Sequence, residues 1–467
     1  MPSPWIPDDI AAALKPAIAD GIPVWLVGGA VRDHLLELPV KDFDFAVAGD
    51  ARALARAVAD RLGGAYFELD DERDAGRVLP PDHSKAWTID FAGLRAPDIE
   101  GDLRLRDFTI NALAIAIAPA VEPSILDRTG GLADLKNSRL RLCHLEGIAA
   151  DPVRALRAVR LSSQLSFRMD PALVEALRAD GHQLERASAE RIRDELFAIL
   201  DQERPAAPLR LAAELDLLQA AIPLSESADL ERGLTNVDHL SRLMGAVVGE
   251  FNPETPGNFT LAEASLRLGR FRIQMAEVLD TTVTGGHSHR QLLYLAALLL
   301  PSAADARLGP EGRMTGVADR LHVGRAELEL LGKIGRYASG RRPGDLLPSE
   351  DGREQYRYRK ALGEADVALV LYALAALLSQ KAGPPALDRW EQEVESARAY
   401  LSTRFEHPTR LFPEPLLRGD ELMSALSIDP GPELGKMLEL IREAQAAGEV
   451  ETADDALRLA RAWQQAR

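Results

Sequence analysis

The chain is poor in cysteine, in aromatic side chains and in positive charge. Cys143 is the single cysteine of 467 residues, which excludes an internal disulfide and a cysteine metal cluster and favours a reducing cytoplasm. Aromatic residues make up 5% of the chain and the net charge is −17. This charge argues against a protein coated in nucleic acid but permits one that binds nucleic acid through a local basic groove.

Segments that target a chain to a membrane are also lacking. The start, MPSPWIPDDI, has neither the basic nor the apolar region of a signal peptide, so none is expected. The apolar run YLAALLL at 294–300 is too short to cross a bilayer. We therefore expect a cytoplasmic protein without a membrane partner.

What is present is ample material for a folded core. Hydrophobic residues make up 46% and charged residues 27% of the chain, and its length predicts roughly two to four domains. Strand-like runs alternate with helical patterns up to about residue 145, and helical patterns dominate afterwards. The sequence predicts an α/β head with a small mixed β-sheet, followed by an all-α neck, body and tail. The predicted bounds are 1–145, 146–205, 206–400 and 401–467.

The stretch VWLVGGAVRDHLLELPVKDFDFAV is the most informative part of the chain. Gly28 and Gly29 follow an apolar strand pattern and open a short helical pattern that carries Arg32. Asp42 and Asp44 lie two apart on a second strand, so both carboxylates project from one face. Two such charges repel each other unless a divalent cation lies between them. A glycine turn beside this pair indicates nucleotidyl transfer with Mg²⁺.

Two further motifs carry carboxylates near arginines. Asp90 in AWTIDFAGLR is either a third carboxylate of the same site or an exposed aspartate at a strand end. In DLRLRDFTINALAI, Asp107 precedes a helical pattern and could cap its N–H groups. Arg106 would then be available to a phosphate or a ribose. The alternative is that the Arg-Asp pair only begins a helix.

The motif DPVRALRAVR predicts a helix with Asp151 as its N-cap and Pro152 at the first position. Arg154, Arg157 and Arg160 follow at steps of three and form a stripe along it. A carboxylate and a guanidinium on nearly one face can read a base edge, because one accepts from an exocyclic amino group and the other donates to ring acceptors. The alternative is a solvated basic face.

Together these motifs resemble bacterial class II tRNA nucleotidyltransferases, the CCA-adding family that includes bacterial poly(A) polymerases. The resemblance runs in order through LVGGAVRD, KDFDF, LRLRDFTINALA, LDRTGGLADLKNSRLR, ADPVRALRAVRLSSQLSF and SAERIRDEL. It implies an enzyme that adds C or A from CTP or ATP to the 3′ end of tRNA without a template. A catalytically inactive RNA-binding paralogue is the alternative outside the enzyme class.

The resemblance implies a role for each matching residue of the head. Gly28 and Gly29 would approach the triphosphate and Arg32 would pair with it. Asp42 and Asp44 would be the catalytic residues and would hold two Mg²⁺ ions about 4 Å apart. The RNA 3′-hydroxyl would attack the α-phosphorus in line, with release of pyrophosphate.

The same resemblance implies that five further residues bind the nucleotide. Arg106 would contact its sugar or phosphates. Asp151 and Arg154 would pair with the base edge in place of a template. Arg157 and Arg160 would support that helix or touch phosphate.

The chain departs from the family pattern between Asp90 and Arg106. Only FAGLRAPDIEGDLRL lies there, whereas full CCA-adding members carry a longer flexible loop, and Leu105 replaces the first of two arginines. The short segment favours the CC-adding subtype, with the final adenosine left to a separate enzyme. CCA addition and poly(A) synthesis remain the alternatives.

The helical body resembles an HD-type domain. His239 matches, but the His-Asp pair that an HD phosphohydrolase needs after its AALL stretch is missing. We therefore expect a degenerate domain without metal-dependent hydrolysis. The tail from 401 is a possible tRNA-binding element.

Overall fold

The chain folds into two compact units. The computed structural model describes residues 5–70, 74–81, 87–117, 124–222, 227–249, 259–300, 314, 316–317, 319–379 and 386–465. The first unit comprises Met1–Ala187 with Glu214–Ala220, and the second comprises Ser188–Ala213 with Ala221–Arg467.

The first unit is built on a seven-stranded mixed sheet. In chain order its strands are β1 (Val24–Val27), β2 (Asp42–Val47), β3 (Ala65–Asp70), β4 (Ala75–Leu79), β5 (Thr88–Gly93), β6 (Leu113–Ala116) and β7 (Ile125–Asp127). Their spatial order is β3-β4-β5-β2-β1-β6-β7, and the pair β2–β5 is parallel whereas the other five pairs are antiparallel. The predicted α/β head with a mixed sheet is confirmed.

Helices complete the first unit. They are α1 (Asp8–Ala19), α2 (Gly29–Leu35), α3 (Ala51–Leu62), α4 (Ile99–Arg104), α5 (Gly131–Lys136), α6 (Gly147–Ala150), α7 (Arg154–Leu165) and α8 (Pro171–Asp180), with 3₁₀ turns at Thr109–Asn111 and Gly181–Arg186. Two short parallel strands, β8 (Arg139–Leu140) and β9 (Arg168–Met169), pair beside them.

The two faces of the sheet differ because successive side chains on a strand alternate. On one face, under α3, Phe45 of β2 stacks on Phe91 of β5 at 5.1 Å between ring centroids. The aspartates of β2 therefore lie on the opposite face. There Ile99 and Leu103 of α4 pack into a core with the small residues of the central strands.

The prediction of a helix directly after Asp107 is wrong. Residues Thr109–Asn111 form one 3₁₀ turn, and the apolar run that follows is strand β6. Leu113, Ala114 and Ile115 are all fully buried, so this strand lacks the alternation of polar and apolar residues that marks a half-exposed strand.

The second unit is helical, as predicted for the part that follows the head. Its longer helices are Ala189–Leu200, Ala206–Glu214, Ser227–Val247, Phe259–Leu268, Arg272–Asp280, His289–Leu299, Arg325–Ala338, Gly352–Leu362, Asp366–Leu378, Leu387–Glu406, Gly419–Leu426, Pro432–Ala446 and Ala453–Gln465. The last three form a small core of their own around Leu422, Met437 and Ile441.

One helical stretch of this unit is apolar enough to span a bilayer. Gly352–Leu378 has 27 residues and reaches a mean hydropathy of 1.8, a stronger signal than the run at 294–300. However, 78% of its most apolar window is buried inside the protein, as in the core helix of a globular domain.

His239, the residue that matches the HD-type pattern, lies in the same unit. Its Nδ1 shares a hydrogen bond of 2.8 Å with the Ser379 hydroxyl.

Candidate active site

A row of side chains crosses the face of the sheet that carries Asp44. Asp44 of β2 pairs with Asp90 of β5, and Asp90 pairs in turn with Arg77 of β4. On its other side Asp44 pairs with Val27 of β1. Residues opposite each other on neighbouring strands share a face, and Asp42 shares it because it lies two residues before Asp44. Three carboxylates therefore meet on one face.

The surroundings of Asp44 disfavour the ionised form of its carboxylate. Burial, together with the negative charges of Asp90 and Asp42, raises its pKa from 3.8 to about 6, while Arg106 and Arg77 oppose the shift. A carboxylate whose ionised form is disfavoured in this way gains most from a cation placed beside it. Asp42, by contrast, is exposed at the start of the strand.

Asp90 has a partner of its own. Nε and Nη2 of Arg77 donate to the two oxygens of Asp90, each at 2.8 Å. This bidentate geometry is the strongest arrangement that a guanidinium and a carboxylate form. Asp90 therefore lies beside Asp44 but is engaged by Arg77, a residue that the sequence motifs did not single out.

Asp42 and Asp44 fit a magnesium site. Among the described residues, no group of three or more histidine, cysteine, aspartate or glutamate side chains is placed to hold a metal ion. Mg²⁺, however, commonly uses one or two carboxylates and takes its other ligands from water and substrate phosphates. Burial and the neighbouring carboxylates raise the pKa of Asp44 despite Arg106 and Arg77, so a bound cation would favour its ionised form.

The glycine turn lies against Asp44. Gly28 has a φ of +75°, a left-handed conformation that favours glycine. A Cβ at this position would lie 3.3 Å from Oδ2 of Asp44 and 3.4 Å from Nη1 of Arg106. The missing side chain thus leaves room for a ligand to approach the carboxylate and the guanidinium together.

Arg32 is buried behind this turn, with 7% of its surface exposed. Its Nε and Nη2 donate to Asp33 at 2.8 and 2.9 Å, and its Nη1 donates to Asn111 at 2.6 Å. A Cβ on Gly29 would lie 3.4 Å from Nη2 of Arg32. The guanidinium is therefore held under the glycine turn.

Arg106 is anchored by Asp102. Nε and Nη2 of Arg106 donate to Oδ2 of Asp102. Asp102 is 2% exposed, and its Oδ1 accepts from the side chain and the backbone of Arg95. Burial alone would raise the pKa of Asp102, but Arg106 and Arg95 together lower it. With Asp98 capping α4 at the Gly101 amide, the segment between β5 and Arg106 is a compact helical element.

Asp107 ties the 3₁₀ turn to α7. Its carboxylate accepts from the Phe108 amide at 2.7 Å, from Asn111 at 3.2 Å and from Nη1 of Arg157 at 3.0 Å. Burial would raise the pKa of Asp107, but these donors, Arg157 foremost, lower it. In this structure Arg157 therefore supports the helix. Arg160 lies further along, where it donates to Gln164 on an exposed surface.

Asp151 and Arg154 lie together, but not as an N-cap and its helix. Asp151 ends α6, and α7 begins at Arg154 without a side-chain cap, so the predicted N-cap at Asp151 is wrong. Nε of Arg154 lies 3.6 Å from Oδ2 of Asp151. Nη2 of Arg154 donates to the Leu105 carbonyl at 3.3 Å, and Nη1 lies 3.4 Å from Nε2 of His144.

The predicted residues thus divide by position. Gly28, Asp44 and Arg106 surround one point on the sheet. Arg154 is linked to this group because its side chain donates to the carbonyl of Leu105, which directly precedes Arg106. The anchors that the sequence reasoning missed are Arg77, Asp102 and Asn111. Of these, Asp102 had a detectable signal, because it lies four residues before Arg106 in a helical pattern.

Comparisons with known proteins match this architecture. Residues 24–141 match the family described as Poly A polymerase head domain, and residues 166–228 match the probable RNA- and SrmB-binding site of polymerase A. A CC-adding tRNA nucleotidyltransferase of Geobacter sulfurreducens is 34% identical over 96% of this chain and 95% of its own length. An A-adding tRNA nucleotidyltransferase of Deinococcus radiodurans is 31% identical over 94% and 95%.

Two solved structures share the fold. A CCA-adding enzyme in complex with CTP is 22% identical and superposes with a TM-score of 0.64, covering 99% of this chain and 96% of that one. The CCA-adding enzyme of Thermotoga maritima in complex with tRNA is 22% identical, with a TM-score of 0.59 and the same coverage.

Proposed function

This chain belongs to the class II tRNA nucleotidyltransferase family, and from that premise we propose that it adds cytidine to the 3′ end of tRNA from CTP. Its relatives, matched over nearly their whole length, are tRNA nucleotidyltransferases, so this chain is a nucleotidyltransferase. In the proposed reaction the RNA 3′-oxygen forms a bond to the α-phosphorus and pyrophosphate leaves. The reaction would take place in the cytoplasm, where tRNA is found.

The observation that carries the proposal is the charge around Asp44. Three carboxylates share one sheet face, and the pKa of Asp44 is raised to about 6 by burial and by the other two. Asp42 and Asp44 would hold Mg²⁺, with two ions expected. Bound there, the ions would supply positive charge to the α-phosphate, the attacking oxygen and the leaving pyrophosphate.

The protein's own groups would place the nucleotide. Gly28 lacks the side chain that would separate a phosphate from Asp44 and Arg106. Arg32 sits beneath Gly29, where Asp33 and Asn111 hold its guanidinium, and it would support the turn that approaches the triphosphate. The triphosphate would therefore lie on the β1 side of Asp44.

Base choice is assigned to the neighbouring pair of Asp151 and Arg154. Their side chains are 23% and 11% exposed, so the pair is held rather than freely solvated. A carboxylate that accepts from N4 of cytosine and a guanidinium that donates to its N3 or O2 would match the cytosine edge. Arg157 would act through α7 by its bond to Asp107, and Arg160 would meet backbone phosphate.

The CC-adding subtype is supported by how Arg154 is fixed. Leu105, whose carbonyl accepts from Arg154, follows directly on α4. That helix is held by Asp102 and by apolar packing on the sheet. A base-reading arginine anchored to such a segment would keep one orientation and hence one preferred base. A separate A-adding enzyme would complete the CCA end.

The test uses tRNA that lacks its 3′ CCA and, separately, tRNA that already ends in CC, each with Mg²⁺ and with CTP or ATP supplied alone. We expect two cytidines from CTP and no adenosine from ATP. Efficient ATP incorporation after CC would establish a full CCA-adding enzyme, and long adenosine tails would overturn the tRNA function. Absence of incorporation with either nucleotide would indicate an inactive RNA-binding protein. In parallel, Asp42→Ala should abolish transfer while tRNA binding persists.

A further inference from the structure

The row of side chains that includes Asp44 continues past Arg77 to an exposed aromatic residue. Phe67 of β3 pairs with Arg77 of β4, so the register places Phe67 on the same face as Asp90 and Asp44. Phe67 is 49% exposed, although β3 is a strand of the folded sheet. An aromatic ring left open to solvent on the face that carries the reactive centre is available to a ligand.

The geometry of the reaction fixes which ligand reaches this side. Gly28, with its space for phosphate, lies on the β1 side of Asp44, whereas Asp90, Arg77 and Phe67 lie on the β5–β4–β3 side. In phosphoryl transfer the attacking and leaving oxygens are roughly in line across the phosphorus. If pyrophosphate leaves toward the β1 side, the RNA 3′-hydroxyl must arrive from the side of Arg77 and Phe67.

We propose that Phe67 and Arg77 form the docking surface for the last nucleotides of the RNA acceptor strand. Phe67 stacks on a base, and Arg77 binds a backbone phosphate. The inference rests on the proposed nucleotidyl transfer at Asp42 and Asp44. It assigns to the exposed half of the sheet the placement of the nucleophile.

Charge supports the assignment of Arg77. The RNA backbone is anionic and Asp90 lies on the side from which it would arrive, so a cation beside Asp90 favours its approach. Nε and Nη2 of Arg77 bind Asp90, but its Nη1 makes no hydrogen bond within the described part of the chain. The side chain is 42% exposed. Asp90 thus orients a guanidinium that still has one amino group for a phosphate oxygen.

The spacing suits a single strand. Neighbouring strands lie about 4.8 Å apart, so Phe67, three strands from Asp44, is roughly 14 Å away from it along the row. That is within reach of the last few nucleotides when the terminal one is at the reactive centre. Proteins that bind single-stranded RNA combine such stacking rings with cationic groups.

The test compares Phe67→Leu and Phe67→Trp in the full chain with a tRNA acceptor minihelix as the RNA. Loss of the ring should raise KM for the minihelix about fivefold to tenfold, the lower part of what base–aromatic stacking supplies, and leave KM for CTP unchanged. Phe67→Trp should restore the wild-type KM. Phe259→Leu, at a phenylalanine that is 62% exposed in the second unit, is the matched control and should behave as wild type.

A second readout follows the stacking itself. A minihelix with 2-aminopurine next to its 3′ terminus should show quenched fluorescence on wild-type protein and less quenching on Phe67→Leu. Equal KM and equal quenching for both proteins would overturn the proposal. So would a change of oligomeric state in Phe67→Leu, because it would make this surface a protein contact. If wild-type protein transfers no nucleotide, the proposed function fails instead.

Discussion

Replacing Asp44 with asparagine should abolish nucleotidyl transfer and at the same time stabilise the metal-free protein. The pKa of Asp44 is raised from 3.8 to about 6, chiefly by burial and by Asp90. This difference corresponds to roughly 3 kcal/mol of unfavourable free energy when the group is ionised, and partial exposure reduces it to about 2 kcal/mol. Asparagine keeps the shape of the side chain and removes that repulsion.

The sign of the pH dependence follows from linkage. An acid whose pKa is raised on folding binds its proton more tightly in the folded state than in the unfolded chain. The free energy of unfolding therefore falls as pH rises from about 4 to about 6, and the whole penalty is present above that range. Asp44→Asn should be more stable than wild type at neutral pH and equal to it at acidic pH.

Thermal unfolding in EDTA provides the assay. A gain of about 2 kcal/mol in a unit of this size should raise Tm by roughly 4–8 °C at neutral pH. Mg²⁺ should raise the Tm of wild type and do little for Asp44→Asn. Asp42→Asn, at an exposed position, is the matched control, with lost transfer and little change in the metal-free Tm. If Asp44→Asn is less stable than wild type at neutral pH, the ionised Asp44 carboxylate does not destabilise the metal-free protein.

Three further changes test other parts of the site. Gly28→Ala places a Cβ 3.3 Å from Oδ2 of Asp44 in a left-handed conformation, and kcat/KM for CTP should fall about tenfold or more while tRNA affinity in filter binding is unchanged. Asp102→Asn releases Arg106, so KM for CTP should rise. Because the substitution also breaks a buried ion pair, the free energy of unfolding measured in urea titrations should fall by about 3 kcal/mol. Asp107→Asn removes a carboxylate whose pKa is lowered mainly by its arginine partner in α7, against the effect of burial. The stabilising contribution of this carboxylate is present above the ordinary carboxylate pKa and is lost as pH falls below it. The free energies of unfolding of the variant and wild type, measured in urea, should therefore differ at neutral pH and converge in acid.

The strands of the head could be predicted because their side-chain pattern is local. The strand pattern before Gly28 coincides with β1, and the strand predicted to carry Asp42 and Asp44 coincides with β2, where the i, i+2 spacing places both carboxylates on one face. Strand β6 was misread as helix because Leu113, Ala114 and Ile115 are buried on both sides. An apolar run without alternation has no period that distinguishes the two structures.

The anchors of the site could not be predicted in the same way. Arg77 meets Asp90 through the register of two strands, and Arg157 meets Asp107 across fifty positions of sequence. Nothing local in either segment specifies these pairings. The helical stripe did indicate that Arg154 and Arg157 share a face, but not that one of them would be occupied by Asp107. The nucleotide-binding roles assigned to these residues stay predictions.

A fixed base-reading pair, Asp151 and Arg154, is proposed to make this enzyme specific for cytidine. The most direct measurement supplies CTP and ATP together at equal concentration with tRNA lacking its CCA end, followed by sequencing of the product 3′ ends. We expect ends that stop after two cytidines, with adenosine absent at every position. Products that end in CCA, or in runs of adenosine, would contradict it.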